Sequence, residues 1–232
     1  MYLLTETASP FALERWAAFF ANFGQFAKGF FYTLGISIGA LIVALLLGLL
    51  FGAMSSTHNK VLRGISRVYV EIFQNTPLLV QFVVVFYGIS ILTDGHVMIP
   101  ISLTAILCVG VYTGAYISEI IRTGIEAVPK GQTEAALSQG FTYADTMRII
   151  ILPQAVRTIL PPLTNQVVNL IKNTSTVAII SGADIMFTAK SWAYDTTNYV
   201  PAFAGAAFLY FIMCFPLATW ARRKEEENKK AY

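Results

Sequence analysis

Charge is scarce in this sequence. Of 232 residues, Lys and Arg supply 16 and Asp and Glu 13, so only 12% are charged. Soluble domains carry about 25%. With 56% hydrophobic residues and a mean hydropathy of +0.61, the composition points to a bilayer. Cysteine is almost absent: Cys108 and Cys214 each fall inside an apolar run without zinc spacing, and read as small buried hydrophobes. No G-x-x-x-x-G-K-[ST] stretch occurs, so the chain does not itself cradle ATP phosphates. H-E-x-x-H and G-x-S-x-G are missing too, and His58 and His96 fall in loops expected on opposite sides of the membrane. Catalysis, metal binding and a resident cofactor have no motif to support them. The one dense basic run, Arg222-Arg223-Lys224, abuts an apolar span and meets Glu225-Glu226-Glu227, which excludes a nucleic-acid surface as its purpose.

What the chain has in quantity is long apolar runs. Five are expected to span the membrane: residues 30–54, 65–92, 101–121, 160–180 and 200–220. The first has no charge over about 25 residues, more than the roughly 20 a helix needs to cross the hydrocarbon core. Residues 1–29 lack a basic leader and a cleavage site, with Glu6 and Glu14 intervening, so no signal peptide is read there. Phe11, Trp16, Phe19, Phe20, Phe23 and Phe26 recur at near-helical spacing, the pattern of an aromatic helix in the interface plane. The domain plan is therefore an extracytoplasmic or interfacial segment over 1–29, a transmembrane domain over 30–222, and a charged cytoplasmic tail over 223–232.

Basic residues set the expected orientation. Lys60, Arg63 and Arg67 follow the first span, Arg122, Lys130, Arg148 and Arg157 surround the connection after the third, and Arg222, Arg223, Lys224, Lys229 and Lys230 follow the fifth. The other side holds Arg15, Lys28 and Lys190 with Asp94, Asp184 and Asp195. The N-terminus is expected outside and the C-terminus in the cytosol. Small residues at fours, Gly35 and Gly39, Gly48 and Gly52, and Gly110, Gly114 and Ser118, predict close helix approaches.

The connection 128–153, VPKGQTEAALSQGFTYADTMRIIILP, interrupts this hydrocarbon with polar residues. Pro129 suits the first turn of a helix. Gly140 suits its left-handed end. Thr142 with Asp145 three residues on is a capping box, and Pro153 is expected to mark the next boundary. Ala136 and Gly140, four apart, predict a smooth face for close approach by another protein.

Polar groups inside the spans are the other signal, because each is costly in hydrocarbon. In the fourth span, Asn165, Asn169, Lys172, Asn173 and Thr176 share one helix face. Lys at mid-span costs about 2.5–3.5 kcal/mol, and eight of the span's Leu, Ile and Val residues, from Leu163 to Ile180, together return roughly 2–5 kcal/mol. That face must therefore meet protein or water. The third span offers Tyr112, Tyr116 and Glu119 at i, i+4 and i+7. The second carries Glu71, Gln74 and Gln81, and Pro77 within it should free the Phe73 carbonyl. Three polar faces read as a solute pathway, with Lys172 and the asparagines for a carboxylate and Glu71 or Glu119 for an ammonium or a gate. The alternative is interhelical bonding with a Lys–Glu pair.

Glu134-Ala135-Ala136, three residues, Gly140, nine residues, then Ile150, Leu152 and Pro153 resembles in full the EAA loop of binding-protein-dependent ABC importer permeases. Gln74-Asn75-Thr76-Pro77-Leu78-Leu79-Val80-Gln81, Leu160-Pro161-Pro162-Leu163 and Lys172-Asn173-Thr174-Ser175 resemble the polar-amino-acid branch of that family. Asn75 stands where many members have Gly, and Asn173 where many have Asp. The resemblance implies an all-α integral membrane protein of five transmembrane helices, the type I ABC importer permease fold with a cytoplasmic coupling helix, in a bacterial inner membrane. It implies that Glu134, Ala135, Ala136, Gly140 and Pro153 couple the chain to a cytosolic ABC ATPase dimer, which would hold the ATP and Mg2+. It also implies an extracytoplasmic amino-acid-binding protein and a second permease copy or a similar chain. Two other classes remain open at this point, a subunit of an ion-gradient-driven transporter or channel and a membrane anchor. The lack of an internal repeat argues against a secondary transporter.

Overall fold

In the computed structural model, residues 9–230 are described. Residues 1–8 of the N-terminal segment, Glu6 included, and 231–232 of the tail lie outside the described residues. Helices account for nearly all of the described chain, and no strand occurs among those residues.

The aromatic segment forms α1 (Leu13–Ala21). It docks on the bundle by one face: Phe19 is buried, with ring centroids 4.8 Å from Phe26 and 6.1 Å from Trp192. Phe11 and Phe20 stay outward. After a break at Asn22, whose side chain donates to the Ala18 carbonyl, α2 (Phe23–Ser55) begins seven residues before the expected start of the first span.

α2 crosses α5 (Ile101–Glu126) closely, and glycine permits it. A Cβ on Gly110 would lie 2.7 Å from Val43 Cβ and 3.0 Å from the Ala40 carbonyl oxygen. Gly39, Gly48, Gly52 and Gly114 are equally filled by neighbours. Gly35 is not: nothing lies within 4 Å of a Cβ there, so the expected packing role of that residue is absent.

The second expected span is two arms. α3 (Lys60–Gln74) and α4 (Leu78–Leu92) meet at 96° across Asn75, Thr76 and Pro77. Asn59 caps α3 by accepting from the amides of Val61 and Leu62. α4 contains a π-helical turn, Val84–Gly88.

After α5, α6 (Lys130–Ser138) is the short helix of the polar connection. A rod follows: a turn at Tyr143–Asp145, a π-helical stretch Thr146–Ile151, α7 (Leu152–Asn173), then a 3-10 segment Thr174–Ile180. Pro153 marks the boundary expected of it, the start of α7 after the π-helical stretch. It sits in the first turn of α7, where its missing N–H is harmless. The rod ends at Ser181, left-handed at φ 61°. Asp184 then caps α8 (Ile185–Thr196), and α9 (Tyr199–Lys230) closes the chain.

Among the described residues three helices, α2, α5 and α9, are continuous, long and apolar enough to cross a membrane, and the bent α3–α4 pair makes up to four. The rod over the expected fourth span is helical throughout but too polar to qualify by composition. One core packs Ile36, Ala40, Phe82, Val109, Ile117, Leu170 and Val177, and so joins α2, α4, α5 and the rod. A second joins α1, α2, α8 and α9 through Phe19, Phe26, Ile185, Trp192 and Leu209.

Candidate functional site

The connection 128–153 folds as its residues dictate at both ends. Gly140 sits at φ 87°, the Phe141 amide donates to the Ala136 carbonyl, and the Gly140 amide to that of Leu137. That pair of bonds is a Schellman stop. Thr142 then accepts from the Asp145 amide at 3.1 Å, and its hydroxyl donates to the Asp145 carboxylate at 2.6 Å. Between these ends, the face expected from Ala136 and Gly140 is not one surface. Ala136 is only 3% exposed and turns inward where α6 packs on the π-helical stretch, whereas Gly140 is open. Besides its first turn, Lys130 to Gln132, the outward residues of α6 are Glu134, Ala135, Leu137 and Ser138. Sequence spacing missed this because the inner partner, the 146–151 stretch, is itself an irregular helix. His58, from the turn after α2, also touches the loop, 5.1 Å edge-on to the Tyr143 ring.

At the break between α3 and α4, the carbonyls that Pro77 leaves without a donor are satisfied by one side chain. Gln81 Nε2 donates to Phe73 O at 3.2 Å, to Thr76 O at 3.1 Å and to Thr76 Oγ1 at 2.9 Å. Gln74 Nε2 donates to Ala115 O, 3.2 Å away, tying α3 to α5. Tyr69, not singled out in the sequence, adds a bond to Val111 O at 2.7 Å. The amide donors of Gln74 and Gln81 therefore hold backbone together.

The polar faces do not converge within one chain. Glu71, Gln74 and Asn75 share a cavity of about 990 Å³ with Glu119, bounded by the turn after α2 and by the ends of α3 and α5. Its charges are mostly paired internally. Arg122 holds Glu119 through both its Nε, 3.0 Å from Oε2, and a terminal nitrogen, and also reaches Glu126. Glu71 accepts from Asn75 at 2.9 Å and lies 3.8 Å from Arg67. The Arg122 clamp makes Glu119 the partner of an arginine beside the polar connection, and its i,i+3 and i,i+4 spacing along one helix face is legible in the sequence. Tyr112 and Tyr116 hydroxyls bond to each other at 3.1 Å.

Asn165, Asn169 and Lys172 do not line that cavity; they are exposed on the rod. Lys172 makes no ion pair among the described residues. It borders a depression of about 290 Å³ with Ser175, Met186, Phe203 and Tyr210. Asn173 and Thr176 are half-buried beside it, and the buried Gln166 accepts from Asn169 at a long 3.5 Å. The Lys–Glu pair of the alternative reading thus has no counterpart among the described residues. Asp184, read in the sequence only as an outer charge, is fully buried in the connection before α8, accepting from the Phe187 amide at 2.8 Å and the Tyr210 hydroxyl at 3.0 Å. Burial pushes its carboxyl up to about 6.

An all-helical bundle with a sharply broken apolar arm, a polar rod and a short exposed helix between two long ones defines a membrane permease subunit. The chain belongs to the family of binding-protein-dependent transport system inner membrane components, which it matches over residues 44–225. It is 37% identical over 216 residues to a probable glutamine ABC transporter permease protein, GlnM, of Bacillus subtilis, covering 92% of this chain and 97% of the relative. It is 33% identical to the glutamate/aspartate import permease protein GltJ of Escherichia coli K12, covering 82% and 85%. The crystal structure of an amino acid ABC transporter with histidines superposes with a TM-score of 0.84 at 31% identity, over 91% of this chain and 98% of that one. An inward-facing MetNI methionine ABC transporter, at 17% identity and TM-score 0.67, shares the fold.

Proposed function

We propose that this chain is the membrane-spanning half of an ATP-driven importer for a polar amino acid. In this reading an extracytoplasmic binding protein delivers the amino acid, and a cytosolic ATPase pair binds ATP with Mg2+ and pushes on α6. The N-terminus lies outside, with the connection 128–153 and the tail from 223 in the cytosol. The observation that carries the reading is mechanical. α6 packs through Ala136 on the stretch that starts the rod, and the rod carries Asn165, Asn169 and Lys172 on an exposed polar face. A force on Glu134, Ala135 or Gly140 is thereby transmitted to that face without an intervening loop. Because polar groups in hydrocarbon need protein or water, the face is covered by a second copy or a similar chain, and the solute passes between the halves. Lys172 holds the substrate carboxylate.

The test is uptake into proteoliposomes containing this chain, an ATPase and a binding protein from the same source. ATP-dependent accumulation of glutamine or glutamate is expected, with Glu134→Lys abolishing it while the isolated ATPase still hydrolyses ATP. Flux through this chain alone, driven by Na+ or a pH gradient, would instead show a secondary transporter.

A further inference from the structure

We propose that the cavity between α3, the end of α5 and the start of α6 is an amino-acid site open to the cytosol, taking a molecule with two carboxylates and one ammonium, as glutamate has. The cavity encloses about 990 Å³, room for such a molecule with some of its water. α3 turns one face to it, with Lys60, Arg67 and Glu71 at i, i+7 and i+11 and Arg63 beside them. α5 contributes Glu119, Arg122 and Glu126, and α6 its first residue, Lys130. The transport reading above leaves this cavity unused.

The wall carries charge of both signs, and the two surpluses fall on different elements. Arg67 and Glu71 answer each other at 3.8 Å. Lys60, Arg63 and Lys130 are exposed and make no ion pair among the described residues, which leaves α3 and α6 with three unanswered cations. On α5 the imbalance is reversed: one guanidinium, Arg122, serves two carboxylates, Glu119 and Glu126. Charge-assisted hydrogen bonds are about twice as strong as neutral ones, so a ligand that answers both surpluses is preferred to one that answers a single sign. Inorganic phosphate would match the cations and leave Glu119 and Glu126 sharing one partner. A diamine or a metal ion would do the reverse. An amino acid with an acidic side chain gives its carboxylates to Lys60, Arg63 and Lys130 and its ammonium to Glu126. Because Lys130 opens α6, the bound molecule ties α6 to α3.

The site rests on the cytosolic placement of the connection 128–153 proposed above. Scintillation-proximity binding of labelled glutamate to the assembled complex in nanodiscs, without ATP or binding protein, reads it directly. A Lys172→Met background removes the cation of the rod. Saturable binding is expected, and Lys60→Gln with Lys130→Gln should weaken it about tenfold or more, the worth of one charge-assisted bond. Both side chains are exposed, so the fold is not at stake. Glu126→Gln should abolish the preference for glutamate over glutarate, which lacks the ammonium. Absence of saturable binding, or binding unchanged in the double glutamine variant, overturns the site, as does glutamine binding as tightly as glutamate. Displacement by an equal concentration of phosphate overturns it in favour of a simple anion site. With Lys172 intact, and in proteoliposomes holding loaded binding protein inside, glutamate on the ATPase side should slow stimulated hydrolysis in the parent and not in the double variant. Slowing absent from the parent, or equal in both, overturns the tie between α6 and α3. Intact binding without ATP-driven uptake would instead fail the importer reading and leave the cavity site standing.

Discussion

Gln81 reaches back across the bend at Pro77 to donate to the Phe73 carbonyl, 3.2 Å away. One amide thus closes the gap between two helical arms set at 96°. Without it the bend would leave the Phe73 and Thr76 carbonyls short of a donor.

Gln81→Leu removes the donor for Phe73 O and Thr76 O together. An acceptor left unsatisfied costs up to about 1–3 kcal/mol, and in a chain of this size 1 kcal/mol moves the midpoint about 2–4 °C. The thermal midpoint of the assembled permease should therefore fall, by about 2–12 °C. Loss of uptake at an unchanged midpoint would show instead that Gln81 works on the solute.

Asp184 is buried with a carboxyl raised to about 6. A folded-state value above the unfolded one contributes stability that is complete below the unfolded value and fades as pH rises through the folded one. Stability should therefore decline between about pH 4 and pH 6 and level off above. Asp184→Asn keeps an acceptor for the Phe187 amide, offers its Nδ2 as a donor to the Tyr210 hydroxyl oxygen and removes the ionisation. Thermal midpoints across pH 4–8 check this: the variant should lack the step, and an identical step in both proteins would assign it to another group.

Ala136 and Ala135 are adjacent yet separable. Ala136→Leu forces a larger side chain into the joint between α6 and the rod, with an overpacking cost of about 1–3 kcal/mol. Ala135→Leu lies on the outward face and should change stability by less than about 0.5 kcal/mol. Limited proteolysis of the loop should therefore speed up only in the first, while ATPase stimulation by loaded binding protein should drop in both. If Ala135→Leu leaves stimulation intact, α6 docks by another face.

The sequence made the local grammar legible: Gly140 stops a helix, Thr142 starts the next, and Pro77 breaks an arm, because each acts within a few residues. Which way a side chain turns was not legible. Gln74 and Gln81 looked like pathway groups, but their amides bind carbonyls at Ala115 and Phe73, distances set by how α3, α4 and α5 cross. Ala136 looked outward because its partner stretch, 146–151, departs from α-helical periodicity. Pro153 reads as a boundary by rule and falls at one, but that the chain stays helical across it as one rod was not legible. Asp184 registered only as charge, since its capping role depends on Phe187 and its burial on Tyr210. Likewise Gly35 and Gly39 have the same spacing, and only the crossing with α5 decides that Ile106 meets Gly39 and nothing meets Gly35.

Lys172 separates transport from architecture. Its ammonium has no carboxylate partner among the described residues, and its side chain is exposed on the rod beside Ser175 and Tyr210. Lys172→Met therefore orphans no buried charge, so assembly should persist and the thermal midpoint should stay within about 2 °C, since surface changes usually cost less than about 0.5 kcal/mol. A charge-assisted hydrogen bond to a substrate carboxylate is worth about 1.5–3 kcal/mol. Its loss should weaken ATP-driven uptake about 10- to 150-fold, appearing mainly as a raised half-saturation concentration. Lys172→Arg keeps the charge and should recover part of the loss. Were Lys172 glue between two copies, the methionine variant would dissociate on size exclusion before uptake could be read. Were it a bystander, uptake would match the parent. A stable complex with impaired uptake is the one outcome that places the ammonium on the solute.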